Sequence, residues 1–216
     1  VILPLLRKIE SKKGCPSEIA NVLCFKDGGF SGERKYAPPD ITNAPIPAYD
    51  LFDMEAYADF NAKTGLAFDI YSSRGCPWDC GFCYRVSGGN LRVRSVESVL
   101  NDMDHVHDAY GVNRFNFVDD TFGLKKGWIE DFCAGVKERG YAFRFQAMIN
   151  SLRSGKKLDV MRDSGLFGIS MGIESGSRKI LDYLGKKNDL DAARTLIKYC
   201  HDNDIFVSAT FIIGVP

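Results

Sequence analysis

Leu66-Ala-Phe-Asp-Ile-Tyr-Ser-Ser-Arg-Gly-Cys76-Pro-Trp-Asp-Cys80-Gly-Phe-Cys83-Tyr84 is the stretch that decides the fold class. It opens on a strand-like apolar run, residues 67–72, and breaks at Arg74-Gly75 into a loop carrying three cysteines within eight residues. Neither a Gly-x-Gly-x-x-Gly nor a phosphate loop follows that strand. Downstream, strand-like runs recur at 114–118, 143–149, 167–173 and 206–213. Helical periodicity fills the intervals. Val96, Val99, Leu100, Met103, Val106 and Tyr110 recur at spacings of three and four, behind a Ser95 N-cap and ahead of a Gly111 stop. Further helices are expected at 128–139 before Gly140, 156–163 before Gly165, 177–184 and 191–202. Four alternations of strand and helix with apolar strands predict an α/β chain with a parallel sheet.

An open doubly wound sheet and a βα barrel both satisfy that pattern. The strands run out into Arg74-Gly75-Cys76, Asp119-Asp120-Thr121, Asn150-Ser151, Glu174-Ser175 and Gly214. Polar groups after every strand place the chemistry at one end, as in a barrel, whereas an open sheet gathers it at one switch point. The expectation is a TIM-like βα barrel with five strands over residues 65–216. Residues 1–64 read differently. A strand at 19–25, a turn at Asp27-Gly28-Gly29 and a return strand at 33–36 predict a hairpin. Four of the eight prolines then fall between Pro38 and Pro47, which predicts an extended linker at a domain boundary. A start at Val1 and an end just after an apolar strand at Pro216 read as a fragment cut at both ends.

Composition narrows the function classes. The 28 basic and 28 acidic side chains of the 216 residues cancel, so charge makes no case for nucleic acid or an anionic membrane. No run approaches the roughly 18–20 apolar residues that span a bilayer, and the opening apolar run lacks the form of a secretion signal. A cytoplasmic protein is expected. Seven cysteines, an odd number, argue against a disulfide framework. Cys133 and Cys200 sit at helical spacing among apolar residues and read as core thiols, as does Cys24, while Cys15 stays undecided. Cys76, Cys80 and Cys83 are the candidate metal ligands. Soft thiolates select zinc or iron–sulfur. Both kinds of closed site want four ligands, and no fourth lies nearby in sequence. Three ligands leave one metal position open for chemistry. The alternative is zinc, with Cys133, Cys200 or a histidine as the fourth ligand.

The Cys76-x3-Cys80-x2-Cys83 spacing after a first strand, with aromatic Phe82 before the third cysteine, resembles the radical S-adenosylmethionine (SAM) superfamily. The resemblance implies that these cysteines hold a 4Fe–4S cluster whose open iron is chelated by SAM. It also implies a six-strand partial barrel, of which this chain holds five strands and stops before the sixth, and reductive cleavage of SAM to a 5′-deoxyadenosyl radical that abstracts a substrate hydrogen. Phe117-Val-Asp119-Asp120-Thr121 stands where the family contacts the SAM amino group, without the usual glycine pair. Gly172-Ile-Glu174-Ser175-Gly176-Ser177 resembles the stretch that contacts ribose and methionine. Thr210-Phe-Ile212-Ile-Gly214-Val-Pro216 resembles the adenine-packing stretch, with Thr in place of its first Gly. Phe82, Asp119, Asp120, Glu174, Ser175, Ile212 and Gly214 are therefore the expected cofactor contacts.

The Asn43-Ala-Pro45-Ile-Pro47-Ala-Tyr49-Asp50-Leu51 stretch resembles the connection after the cobalamin-binding domain in the cobalamin-dependent branch. That branch's Asp-x-His-x-x-Gly signature is absent, so the resemblance places any cobalamin site upstream of Val1. Methyl transfer, ring closure or another radical rearrangement follows for the parent protein, with a flavodoxin- or ferredoxin-type electron donor. The alternatives are a methylthiotransferase-like enzyme without cobalamin and a metal-binding module without turnover. Asn150 and Arg153 are candidates for facing substrate. His105, His107 and His201 read as surface or helix-end groups, and the lysines at 125–126, 156–157 and 186–187 as solvated.

Overall fold

The computed structural model describes residues 2–11, 16–19, 21–32, 38–152 and 155–215. The chain divides into two compact units, Val1–Pro39 and Asp40–Pro216. In the smaller, helix α1 (Ile2–Ser11) precedes a hairpin of β1 (Cys24–Lys26) and β2 (Gly29–Ser31). Asp27 and Gly28 both take positive φ, +52° and +79°, which is a two-residue turn of the kind that matches strand twist. That tight turn starts the return strand at Gly29, earlier than the expected 33–36, which lies outside the described residues together with Cys15. Cys24 is half-buried rather than buried.

In the larger unit, residues 40–64 are not a free linker. Ser95 donates its N–H to Thr42 O (2.7 Å), Ser98 Oγ donates to Ala44 O (3.3 Å), and the Tyr49 hydroxyl donates to Asp102 (3.0 Å). An unexpected helix follows, α2 (Met54–Thr64), capped by Asp53, which accepts the Ala56 N–H, and stopped at left-handed Gly65. The unit boundary thus falls between 39 and 40, because these side chains tie the proline-rich segment to its neighbour helix.

Five parallel strands form the sheet in the order β3 (Phe68–Ile70), β6 (Arg114–Phe117), β7 (Ala142–Gln146), β8 (Leu166–Glu174), β9 (Phe206–Phe211). Between β3 and β6, a short antiparallel pair, β4 (Ser73–Arg74) with β5 (Arg92–Val93), holds the two ends of the cysteine loop together. Helices α3 (Val96–Tyr110), α4 (Trp128–Arg139), α5 (Gly155–Arg162), α6 (Arg178–Tyr183) and α7 (Leu190–Asp202) fill the intervals, α4 with the expected bounds.

The two faces of the sheet differ. Phe115, Phe117, Phe143, Phe145, Ile169 and Met171 are fully buried in the core with α3 and α4 residues such as Val99, Met103, Phe132 and Val136. At roughly 1.5–3 kcal/mol for each large apolar side chain, this outer face is the main source of cohesion. Cys133 and Cys200 belong to it, and burial pushes each thiol up to about 11. The alternate residues, Asp69, Asn116, Arg144, Gln146 and Ser170, form a polar inner face, aligned across the sheet by the register Asp69–Asn116–Arg144 and Gln146–Ser170. One dry face and one polar face make this a partial barrel rather than a doubly wound sheet, whose strands are dry on both sides.

Candidate functional site

The cysteine loop is shaped before any ligand enters. Gly75 has φ +91°, and a Cβ there would stand 2.3 Å from Asn90 O, so only glycine lets the loop's two limbs approach. Cys76 N–H donates to Gly88 O (3.1 Å), and Cys83 N–H to Cys80 O (3.0 Å), which folds the last two cysteines into one turn. Gly81 N–H donates to Leu184 O (2.9 Å) and fastens that turn to the end of α6. All three thiols line a cleft of about 230 Å³ at the C-terminal end of the strands, with Phe82, Asp120, Gln146, Glu174 and Lys186 among the other walls.

Asp119 and Asp120 point to different tasks. Asp119 is buried, and its carboxylate accepts from Ser72 N–H (2.7 Å), Ser73 N–H (3.0 Å), Ser73 Oγ (3.0 Å) and the Ser72 hydroxyl. Burial pushes its carboxyl above the usual range while these four donors pull it down. Asp119 anchors the start of the cysteine loop and does not line the cleft. Asp120 spends one oxygen on Gly75 N–H (2.8 Å) and does line it.

Glu174 stands at a bulge between β8 and β9, with φ +63°, a conformation rare for a residue with a side chain. Its Oε1 accepts from Lys186 Nζ at 3.1 Å, and the two side chains are only 8% and 7% exposed. Lys186 is thus no solvated residue. Its ammonium also lies 5.8 Å from the Phe82 ring, and it opposes the upward push that burial gives the Cys80 thiol. Gly172 is the cradle beneath the pair: a Cβ there would meet Glu174 Oε1 at 2.1 Å.

The structure brings Cys76, Cys80, Cys83, Phe82, Asp120 and Glu174 into one cleft. Ser175, Ile212 and Gly214 lie beside it without lining it. Ser175 Oγ accepts Ser177 N–H, and Ile212 N–H donates to Glu174 O (2.9 Å), so both fix the chain around Glu174. Asn150 donates to Lys187 O (2.5 Å) and accepts from Asp189 N–H, joining the β7 exit to the start of α7. Arg153 lies outside the described residues. His105 and His201 are exposed, and half-buried His107 contacts Val112 O through Nδ1. Gln146 is a cleft residue that the sequence reading passed over; Lys186, read there as solvated, and Thr210, noted only for replacing a Gly, also line the cleft. For Lys186 no local signal exists; for Gln146 the apolar–polar alternation of β7 was the signal.

The donor set fits an iron–sulfur cluster. A structural zinc site takes four ligands, whereas the cleft gathers three thiols. Three soft thiolates around one cleft instead suit a polynuclear cluster, with one thiolate per iron. The family model for the radical SAM superfamily matches residues 70–216. The chain belongs to the radical SAM superfamily. Radical SAM enzymes work with a 4Fe–4S cluster and SAM, and the three thiols that line the cleft are the ligand type such a cluster takes. This superfamily member is similar to an uncharacterized methyltransferase of Pyrococcus horikoshii, 31% identical over 199 residues, which are 86% of this chain and 42% of that protein. It is also similar to cytidylyl-2-hydroxyethylphosphonate methyltransferase of Streptomyces wedmorensis, 30% identical, covering 82% of this chain and 35% of that protein. In fold it resembles the cobalamin-dependent SAM radical enzyme OxsB, solved with aqua-cobalamin bound. The TM-score is 0.77 at 21% identity, over 98% of this chain and 32% of that one. The chain thus spans well under half the length of these proteins. Among the described residues no helix is long and apolar enough to cross a membrane.

Proposed function

We propose that the cleft is the radical-generating centre of a SAM-dependent methyltransferase that works with cobalamin. Cys76, Cys80 and Cys83 would hold the cluster, and Asp120, Glu174 and Lys186 would contact SAM. The observation that carries this reading is the convergence of three thiols with a buried Glu174–Lys186 pair in one cleft at the C-terminal end of a parallel sheet. When bound, cluster and cofactor supply one-electron reductive cleavage of a carbon–sulfur bond and hydrogen abstraction from substrate. The chain's own residues bind, orient and exclude. Glu174, fixed by Lys186 and by the bulge, presents an acceptor at one position, and Asp120 offers its remaining oxygen to a cationic group. Phe82 and Trp78 form apolar walls that keep water from the reacting atoms.

Methyl transfer is favoured over ring closure by the names of the two relatives. Residues 1–64 are read as the end of a cobalamin-binding-like domain with its proline-rich connection, the electron donor as a flavodoxin- or ferredoxin-type protein, and the compartment as a reducing cytoplasm. Anaerobic reconstitution with iron and sulfide, then EPR of the dithionite-reduced chain with and without SAM, tests the centre. A 4Fe–4S signal that changes on adding SAM is expected, with loss of the signal in Cys80→Ala. A signal indifferent to SAM, or full iron and sulfide in Cys80→Ala, overturns it.

A further inference from the structure

The inner face of the barrel holds a second cavity. It offers about 470 Å³, open to solvent, between helix α2 and the middle of β3, β6 and β7. One wall is apolar, with Phe52, Tyr57 and Phe60 each more than half exposed into or around it. The other wall is polar: Asp69, Asn116 and Arg144, on three neighbouring strands in register. Asn116 donates to Asp69 Oδ1 at 2.6 Å, which fixes that carboxylate and lowers its claim on a ligand. Arg144 is different. One nitrogen donates to Ser170 Oγ at 2.9 Å, and the Phe206 ring lies 5.8 Å from its guanidinium carbon, yet its Nε–H is buried with no acceptor. A buried charged donor left without a partner is costly, and native structures rarely keep one without a reason.

From this we infer that the cavity is a ligand chamber for an amphipathic molecule with an anionic group. Carboxylate, phosphate or phosphonate accepts from the Arg144 fork, and the apolar part lies against the α2 aromatics. Asp69 repels the anion and so restricts it to the Arg144 end. The chamber adjoins the cysteine cleft: Ser170, which Arg144 grips, and Gln146, two residues along the same face, both line that cleft. The occupant is accordingly the substrate, with its reacting end reaching past Ser170. That last assignment rests on reading the cleft as the radical centre; the binding itself does not.

The test uses the cluster-free chain and needs no SAM, so its failure and that of the cleft reading are separate events. Decanoate and uncharged decanol are titrated calorimetrically into the parent chain and Arg144→Gln. Decanoate is expected to bind the parent at one site and the variant about ten- to hundredfold more weakly, the range for a lost hydrogen bond to a charged group. Decanol is expected to bind both alike. Should Arg144→Gln not fold, Phe60→Asp, at an exposed helix position, places a second anion at the mouth and is expected to weaken decanoate more than decanol. Decanoate binding that survives either change, or no binding to the parent, overturns the proposal.

Discussion

Replacing Arg94 by methionine removes the largest fully buried side chain among the described residues. Its guanidinium donates to Asp102 (2.8 Å), Tyr71 O (3.0 Å), Ser98 O (2.9 Å) and Ser98 Oγ, and neither Arg94 nor Asp102 is exposed at all. Methionine fills comparable space but leaves the Asp102 carboxylate with only the Tyr49 hydroxyl, and strips the Tyr71 and Ser98 acceptors of their donor. Breaking one side of a buried pair costs about 3–5 kcal/mol. In a domain of this size each kcal/mol lowers the melting temperature by about 2–4 °C, so the variant should melt about 6–20 °C below the parent. The effect reaches the site, because Arg94 N–H also donates to Ser72 O (2.8 Å) at the root of the cysteine loop, and the Trp128 ring N–H donates to Arg94 O (2.8 Å). Thermal unfolding by circular dichroism gives the primary readout, and iron uptake gives the second. Adding Asp102→Leu should restore part of the loss, with about 1–3 kcal/mol of coupling between the two positions. A variant melting within about 2 °C of the parent would refute the reasoning, because it would show the pair to be worth less than about 1 kcal/mol.

Asp104 supplies a pH test. Burial pushes its carboxyl upward, but the Arg139 fork (2.7 and 2.9 Å) and the Tyr141 hydroxyl (2.9 Å) hold it below the ordinary 3.8. A depressed folded-state value gives stability that is present above the unfolded value and lost as pH falls through the folded one. Asp104→Asn should therefore cost about 1 kcal/mol at neutral pH, and urea melts should show the gap closing below about pH 4. Gly75→Ala forces a side chain into a left-handed turn against Asn90 O and should destabilise by about 1–3 kcal/mol while lowering iron uptake; an unchanged urea midpoint would mean the turn opens freely. Glu174→Gln should keep iron and sulfide yet bind SAM at least about tenfold more weakly by calorimetry. Equal affinity would reduce Glu174 to a support for the β8–β9 junction.

Helices were legible wherever caps and periodicity agreed: Ser95 and Gly111 bracket α3, and both ends of α4 fall as its pattern requires. The parity of Arg114-Phe-Asn-Phe-Val-Asp-Asp120 also carried more than the strand reading used. Phe115, Phe117 and Asp119 share the buried side, which leaves Val118 and Asp120 on the other, so the adjacent aspartates could have been assigned opposite tasks. Helix α2 was masked by the prolines before it, although Asp53 and Gly65 mark its ends. Lys186 was beyond reach. Its burial depends on a partner twelve residues away, on the far side of α6, and on the approach of Phe82 from the cysteine loop. Such long-range meetings leave no trace in local spacing.

Glu174's backbone conformation bears on how this protein could be engineered. A residue with a side chain at φ +63° carries on the order of 1 kcal/mol or more of strain, which glycine would relieve. A library ranked only by heat resistance would thus meet an incentive to replace an acid that the cleft holds through Lys186. On the proposed reading, winners at this position would gain robustness by giving up SAM binding, and selection schemes for the chain need a binding gate at residue 174 from the first round.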